Sequence, residues 1–517
     1  MLVKFKITVS LFIFFAFFTK AQFNILNNDV KWMFDKELSK GDTILNSNIN
    51  SLEAYFVFEN LPSDSYSYPI KSPFFNWMFN KNIYGVKNDK YSFRLNPIFN
   101  VSTGSDKFYG SRRGGSARGT IGTKFKWVTS FYENYQNFDP KTNKIINYTA
   151  VAPGESEVKN PNGPFDYSVS GGGFIYEFST FFKLSAGHGK NFIGNGYRSL
   201  LLSDAAGNYP FICGDLSIGS VKYTSIIGEF IDFTNNLIGD GLKRKKYGSF
   251  HYIDVLASKK LKLAFFEAVI WEGDSNARTS IELNYINPFV ILRPLEYNIG
   301  SPDNMLIGFN GSWDIHKYIN GYGQIVLDEL HSKNLIYNPT WWANKYGYQA
   351  GVKIHNLPLK NLIVQLEHNT VRPFTYSHRT SGMNYGHNYN SLAHPFGANF
   401  RELLGVINFR KQRFNINTKF VYIQGGEEFI DSISSGKDIF KSYNKRLYED
   451  GYEIGYGIDY KQLNWDTKIN FLLNPKYLLM LEIGYQNRTQ WLDGNKENHH
   501  YLYGGFRTSL FNLYYDY

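Results

Sequence analysis

Behind an apolar leader this chain repeats segments of about ten residues in which every second side chain is apolar or aromatic, and that alternation limits the possible folds more than any other feature. Phe93, Leu95, Phe99 and Val101 alternate with Arg94, Asn96 and Asn100, and Phe125, Trp127, Thr129 and Phe131 alternate with Lys124, Lys126 and Ser130. A period of two belongs to strands whose faces meet unlike surroundings. The pattern returns at Leu362, Val364 and Leu366 against Gln365 and Glu367. It returns again at Phe414, Ile416, Thr418, Phe420 and Tyr422 against Asn415, Asn417 and Lys419. It can be read to the last residues, Phe511, Leu513, Tyr515 and Tyr517, which suggest a closing strand. The clearest hairpin is Trp465, Thr467, Ile469, Phe471 and Leu473, a turn at Asn474-Pro475, then Tyr477, Leu479, Leu481, Ile483 and Tyr485. Its other face carries Asp466, Lys468, Asn470, Glu482 and Arg488. Were that face in lipid, each midplane Lys or Arg would cost about 2–4 kcal/mol, so the apolar face points outward. The fold class expected is all-β, a transmembrane antiparallel β-barrel of a bacterial outer membrane, its outward side chains in hydrocarbon and its inward ones in a wet interior.

Residues 1–21 carry Lys4 and Lys6, an apolar run from Ile7 to Phe18, and Thr19-Lys20-Ala21 before Gln22, which reads as a signal peptide. Position 22 is not cysteine, so a lipid-modified amino terminus is not expected, and Cys213, the single cysteine, rules out an intrachain disulfide. After the leader no apolar stretch reaches the ~18 residues of a spanning helix. The nearest, 261–271, is broken by Lys262 and Glu267. A membrane reading is therefore a barrel reading. An aromatic share of 18%, with 39 Tyr and 44 Phe, fits rings placed at two bilayer interfaces, although a soluble β-solenoid or propeller competes. The formal charge of +10 does not point to nucleic acid, because the basic residues are spread over polar-face positions and turns. Anionic glycan or lipopolysaccharide is the expected anionic partner. The one dense run, Lys243-Arg244-Lys245-Lys246, reads as a solvated turn.

No Gly, Ser or Pro linker divides the chain, so residues 91–517 form one barrel domain, preceded by residues 22–90 as a periplasmic or early barrel region. Residues 48–89 lack sustained alternation and are expected at the periplasmic end, where 73–79 could form a short helix. Polar stretches at 138–171, 187–214, 370–399 and 425–451 read as extracellular loops or inward-folded plugs.

The string 187–204 holds four glycines among polar residues. One reading is a loop whose backbone approaches a ligand, with Tyr197 stacking on a sugar and Lys190, Arg198 and Asp204 donating or accepting hydrogen bonds. The other is a glycine-kinked strand or plug that fills the lumen. Ser203, Asp204 and His188 could suggest a hydrolase, but no G-x-S-x-G elbow surrounds the serine, so no enzyme is expected. His378, His387 and His394 match no compact metal motif and read as loop anchors; no metal or other cofactor is expected. Trp341-Trp342, paired indoles beside polar groups, could stack on sugar rings but reads rather as part of an interface girdle. Arg112, Arg113 and Arg118 lie among glycines and could bind an acidic polymer or line a polar lumen.

Six strings stand in order along the chain: Arg118-Gly119 with Phe131-Tyr132-Glu133-Asn134, 187–204, Phe250-His251-Tyr252 with 266–271, Tyr285-Ile286-Asn287-Pro288 through Arg293-Pro294-Leu295-Glu296, 300–304, and 375–400. Taken together, they resemble the Wzi-type capsule-assembly outer-membrane family. The likeness is greater to the Bacteroidetes branch, which includes the gliding-motility protein RemB, and it is weak over the first 90 residues and 138–171. The resemblance implies a monomeric barrel of about eighteen strands. It also implies a non-enzymatic role: holding exported capsular polysaccharide at the cell surface, or serving as a surface component of gliding or export machinery. Arg112, Arg113, Arg118, Lys190, Tyr197, Arg198, Arg372, Tyr376 and His378 are the candidate polysaccharide contacts. A porin-like pore for small solutes is the alternative.

Overall fold

The computed structural model describes residues 48–50, 52, 70–232, 243–272, 282–288, 291–299, 303–328, 336–508 and 512–517; the leader lies outside them. Eighteen antiparallel strands close into a barrel. The first nine are β1 (Tyr91–Gly104), β2 (Tyr109–Ile121), β3 (Phe125–Asn137), β4 (Phe165–Glu177), β5 (Phe182–Gly189), β6 (Tyr209–Ile218), β7 (Val221–Asp232), β8 (Arg244–Leu256) and β9 (Leu261–Glu272). The second nine are β10 (Asn304–His316), β11 (Ile319–Asp328), β12 (Tyr346–His355), β13 (Leu362–Val371), β14 (Phe400–Lys411), β15 (Phe414–Glu427), β16 (Ile458–Asn474), β17 (Leu479–Leu492) and β18 (Asn495–Thr508). Each strand pairs with its sequence neighbour, and β18 closes on β1 through Tyr503 to Arg507 against Gly104 to Asn100. The chain therefore folds as an outer-membrane β-barrel, with no free sheet edge around the wall.

The alternation in sequence becomes the two faces of the wall. Leu95, Phe99, Phe131, Leu366, Trp465, Phe471 and Ile483 are exposed on the outside, while Asn96, Gln365, Glu367, Asn464 and Asn470 are buried on the inside. Turns at 122–124, 178–181, 219–220, 257–260, 317–318, 356–361, 412–413 and 475–478 are short and share one rim. The connections at 138–164, 190–208, 372–399 and 428–457 are long and share the other rim, which by that length asymmetry faces outward from the cell. Helix α1 (Pro73–Asn80) sits at the short-turn rim, where Asn474 Nδ2 donates to Met78 O at 2.7 Å and Arg413 Nη2 to Asn80 Oδ1 at 2.6 Å.

Several expectations are corrected. Residues 48–50 do not stay at the periplasmic end: they pair with Asn191–Ile193, and Leu52 packs in the interior. Residues 512–517 are not a closing strand. The edge of β1 that a longer β18 would use, Ser92 to Leu95, is already paired with the short strand Tyr84–Lys87, and residues 512–517 lie in the lumen. The basic run at 243–246 is no solvated turn. It opens β8, whose alternation buries Lys246 against the Asn384 carbonyl and side chain at 2.7 Å. Nor is the interior uniformly wet. Ile226, Phe230, Phe250, Phe266, Leu404, Val406 and Val421 point inward and pack on Leu200, Leu201, Leu202, Tyr376, Tyr385 and Leu392 from the long connections. Apolar inward positions are affordable where loops replace water.

Outside the wall, the short helices Leu283–Ile286 and Leu292–Ile299 lie over β8 to β10. Tyr285 and Leu292 cover Tyr247, Val269, Trp271 and Met305, with the Trp271 and Tyr285 rings 5.1 Å apart. Beneath them, Glu267 Oε1 lies 3.1 Å from His251 Nδ1 and accepts from the Leu292 amide at 3.0 Å. This explains how Glu267 can interrupt an apolar outward face: the cover keeps it from lipid. Glu267→Ala is expected to cost about 1–3 kcal/mol for each donor it orphans, read as a lower temperature for loss of the compact band in heat-modifiability gels, with Glu267→Gln milder.

Candidate functional site

The connection 190–208 crosses the lumen because its backbone fits against inward-facing amides and acids. Glu367 of β13 accepts from the Tyr197 amide at 2.7 Å and the Arg198 amide at 3.1 Å. A Cβ at Gly196 would lie 2.7 Å from both Gln349 Oε1 and Glu367 Oε2, and Gly194 has a φ of +144°. Gly194 and Gly196 thus serve close approach to the wall, as the plug reading expects, whereas Gly187 and Gly189 belong to β5 itself.

Arg198 is the centre of a buried ion network. Its Nη2 contacts Glu402 Oε1 at 3.2 Å and Asp516 Oδ1 at 2.9 Å, and Lys419 of β15 contacts the other Asp516 oxygen at 2.6 Å. Burial pushes the Asp516 carboxyl up, but Arg198 and Lys419 outweigh it and hold it well below the usual carboxylate range. Segment 512–517 is fastened further along: Gln462 and Asn464 donate to Asp516 O at 3.1 and 2.7 Å, Arg488 donates to Tyr515 O, and Tyr514 OH donates to Asp204 at 2.8 Å.

Beside this segment a cavity of about 230 Å³ runs along the inner wall of β1 to β3 and β15 to β18. Four cations border it, each with a carboxylate: Arg112 with Glu155 at 2.8 Å, Lys419 with Asp516 at 2.6 Å, Lys468 with Asp466 at 3.1 Å, and Arg507 with Glu482 at 2.6 Å. Phe108 stacks with Tyr501 at 4.9 Å and lies tilted against Tyr503 at 5.2 Å to make an aromatic wall, and Phe138 packs on Tyr515 at 5.1 Å. The side chains of Asn100, Ser102 and Asn417, and Nε2 of Gln486, face the cavity with no hydrogen-bond partner among the described residues.

Of the nine candidate contacts, the structure brings Arg112 and Tyr197 to this cavity. Lys190 is buried, donating to the Gly154 and Asp204 carbonyls at 2.7 and 3.1 Å. Arg198 is the ion-network hub. Arg372 ties loops together through Asn344 O and Tyr452 O, both at 2.8 Å. Tyr376 donates to Leu200 O at 2.7 Å, and His378 Nδ1 accepts from the Thr380 amide at 3.2 Å. Arg118 faces the lumen near the short-turn rim, donating to Lys476 O at 3.5 Å. Arg113 points the other way: next to Arg112 in a strand, it lies on the outer surface beside Glu133 at 3.2 Å. The three arginines are therefore not one cluster. Sequence reasoning missed Lys419, Asp466, Lys468, Glu482, Tyr501, Tyr503 and Arg507; most were visible as polar inward positions, but nothing local marked them as neighbours.

His387 and His394 spend their imidazoles on the fold. His387 accepts from the Ile231 amide at 3.0 Å, and burial pushes its pKa down to about 3. His394 Nε2 lies 2.8 Å from Glu402. Ser203 is buried and its hydroxyl accepts from the Ala205 amide at 3.1 Å, whereas His188 Nδ1 contacts Ser170 O at 3.1 Å. Trp342 is not a girdle residue. It lies in a connection, not a strand, and packs on Phe374, Tyr443 and Tyr452, with Nε1 donating to Glu449 at 2.7 Å.

No protein-family profile matches this sequence, and no curated protein does. Solved structures do resemble the fold. Wzi of Escherichia coli, described as an outer-membrane protein involved in group 1 capsule assembly and a carbohydrate-binding β-barrel, has a TM-score of 0.55 at 12% identity, covering 93% of this chain and 98% of that one. OprD of Pseudomonas aeruginosa has a TM-score of 0.43 at 9% identity, covering 84% and 98%.

Proposed function

We propose that this barrel binds or organises cell-surface polysaccharide without chemistry of its own, in capsule assembly and retention or as a surface component of gliding. The observation that carries the reading is the lumen. A solute pore needs an open aqueous path, whereas the connections and segment 512–517 fill much of the described interior, beside a cavity bordered by tyrosines, phenylalanines and ion pairs with uncommitted amides and a hydroxyl. Sugars present apolar C–H faces and many hydroxyls, and such a wall suits both. Likeness in fold to a barrel described as carbohydrate-binding supports the same reading. Among the nine candidates, Arg112 and Tyr197 are retained as contacts; the other seven act through the scaffold or, for Arg113, at the outer surface. The test is a pull-down of the cell's own polysaccharide with the purified barrel, together with the surface polymer of a deletion strain. Capture of polymer, and its loss from deleted cells, is expected; no capture with unchanged surface polymer overturns the proposal.

A further inference from the structure

We infer that the lumen cavity is a subsite for a single neutral sugar unit and discriminates against acidic sugars. The inference rests on the polysaccharide reading above and names the ligand class of that site. Its first ground is charge. All four bordering cations already hold carboxylates at 2.6 to 3.1 Å, so no fixed positive charge is left to greet an anion. A uronic acid would bring an extra charge into a site whose ions are mutually satisfied, losing its own hydration for no new counter-ion. A neutral sugar meets no such penalty.

The second ground is the set of polar groups that remain. Asn100 and Asn417 each offer a carboxamide, Ser102 a hydroxyl and Gln486 an NH2 group, all neutral and all without partners among the described residues. Carboxamides pair with sugar hydroxyls as both donor and acceptor. The Phe108, Tyr501 and Tyr503 rings supply the apolar counterpart for a sugar's C–H face. The third ground is size. About 230 Å³ is smaller than the roughly 300–1,000 Å³ of pockets that take drug-sized ligands, which suits one sugar unit and not a length of polymer. An acidic polymer held by the arginines, one of the two readings of Arg112, Arg113 and Arg118, does not fit this site.

The experiment is saturation-transfer NMR on the detergent-solubilised full chain with methyl glucoside, methyl galactoside, methyl mannoside and glucuronate. At least one neutral glycoside is expected to bind, with glucuronate about tenfold weaker or worse. In Asn100→Leu/Asn417→Leu the neutral glycoside should weaken by about tenfold, with heat-modifiability confirming the barrel. In Ser102→Trp, where the indole fills the space, binding should disappear. Glucuronate binding as well as the neutral sugars, or neutral binding untouched by these variants, overturns the inference. Polymer capture without any glycoside binding overturns the subsite and leaves the polysaccharide reading standing. Glycoside binding that the variants abolish, without polymer capture, supports the subsite and removes the polymer.

Discussion

Replacing Asp516 with lysine is expected to open the barrel: current through the protein in planar bilayers should rise about tenfold or more over the native chain, which should pass little. Asp516 is where segment 512–517 is tied to the plug by Arg198 at 2.9 Å and to the wall by Lys419 at 2.6 Å, with all three side chains nearly or fully buried. Removing one partner of a buried pair costs about 3–5 kcal/mol, mostly because the other charge is stranded. Lysine also adds repulsion toward both cations, so expulsion of the segment is the relaxation open to the chain. Asp516→Asn should give a weaker effect in the same direction. The pH dependence follows from the depressed carboxyl: its stabilisation is complete above the ordinary carboxylate range and is lost only as pH falls through the lowered folded value. The native barrel should therefore stay closed at pH 4. A lysine variant as silent as the native chain would remove the latch from the account.

The wall of this barrel was legible because its code is local. Ile469, Phe471, Leu481 and Ile483 are outward where the alternation puts them, and helix α1 covers the expected 73–79. What escaped the sequence is what depends on partners far apart along the chain. Tyr515 and Tyr517 alternate like strand residues, yet a tyrosine is equally at home in a lumen that satisfies its hydroxyl, and only the occupied edge of β1 decides between the two. Phe250 and Phe266 read as lipid-facing or core with equal ease, because connections fill the space inside β8 and β9. The cavity was opaque for the same reason: Lys419, Asp466 and Glu482 sit on three strands, and each residue's partner, not its type, determines what the site can hold. Arg112 and Arg113 make the point most sharply, being adjacent in sequence and on opposite sides of the wall.

Ile469→Arg should be among the most damaging single changes on the outer surface. Ile416, Ile469 and Ile483 form one row across β15, β16 and β17, and Ile469 lies near the middle of the apolar stretch of its strand. Arginine there faces hydrocarbon and should cost about 2–4 kcal/mol, measured as a shift in the denaturant midpoint for folding into lipid vesicles. Ile218→Arg, outward at the short-turn rim, should cost about 0–1 kcal/mol, because its guanidinium reaches the headgroups. The neighbouring residue supplies the contrast that makes the test sharp. Lys468 is already a cation one position away, yet it points into the lumen and lies 3.1 Å from Asp466. If Ile469→Arg folded as readily as Ile218→Arg, the outward face of β16 would not be in lipid at that height, and the orientation of the whole wall would have to be reversed or abandoned.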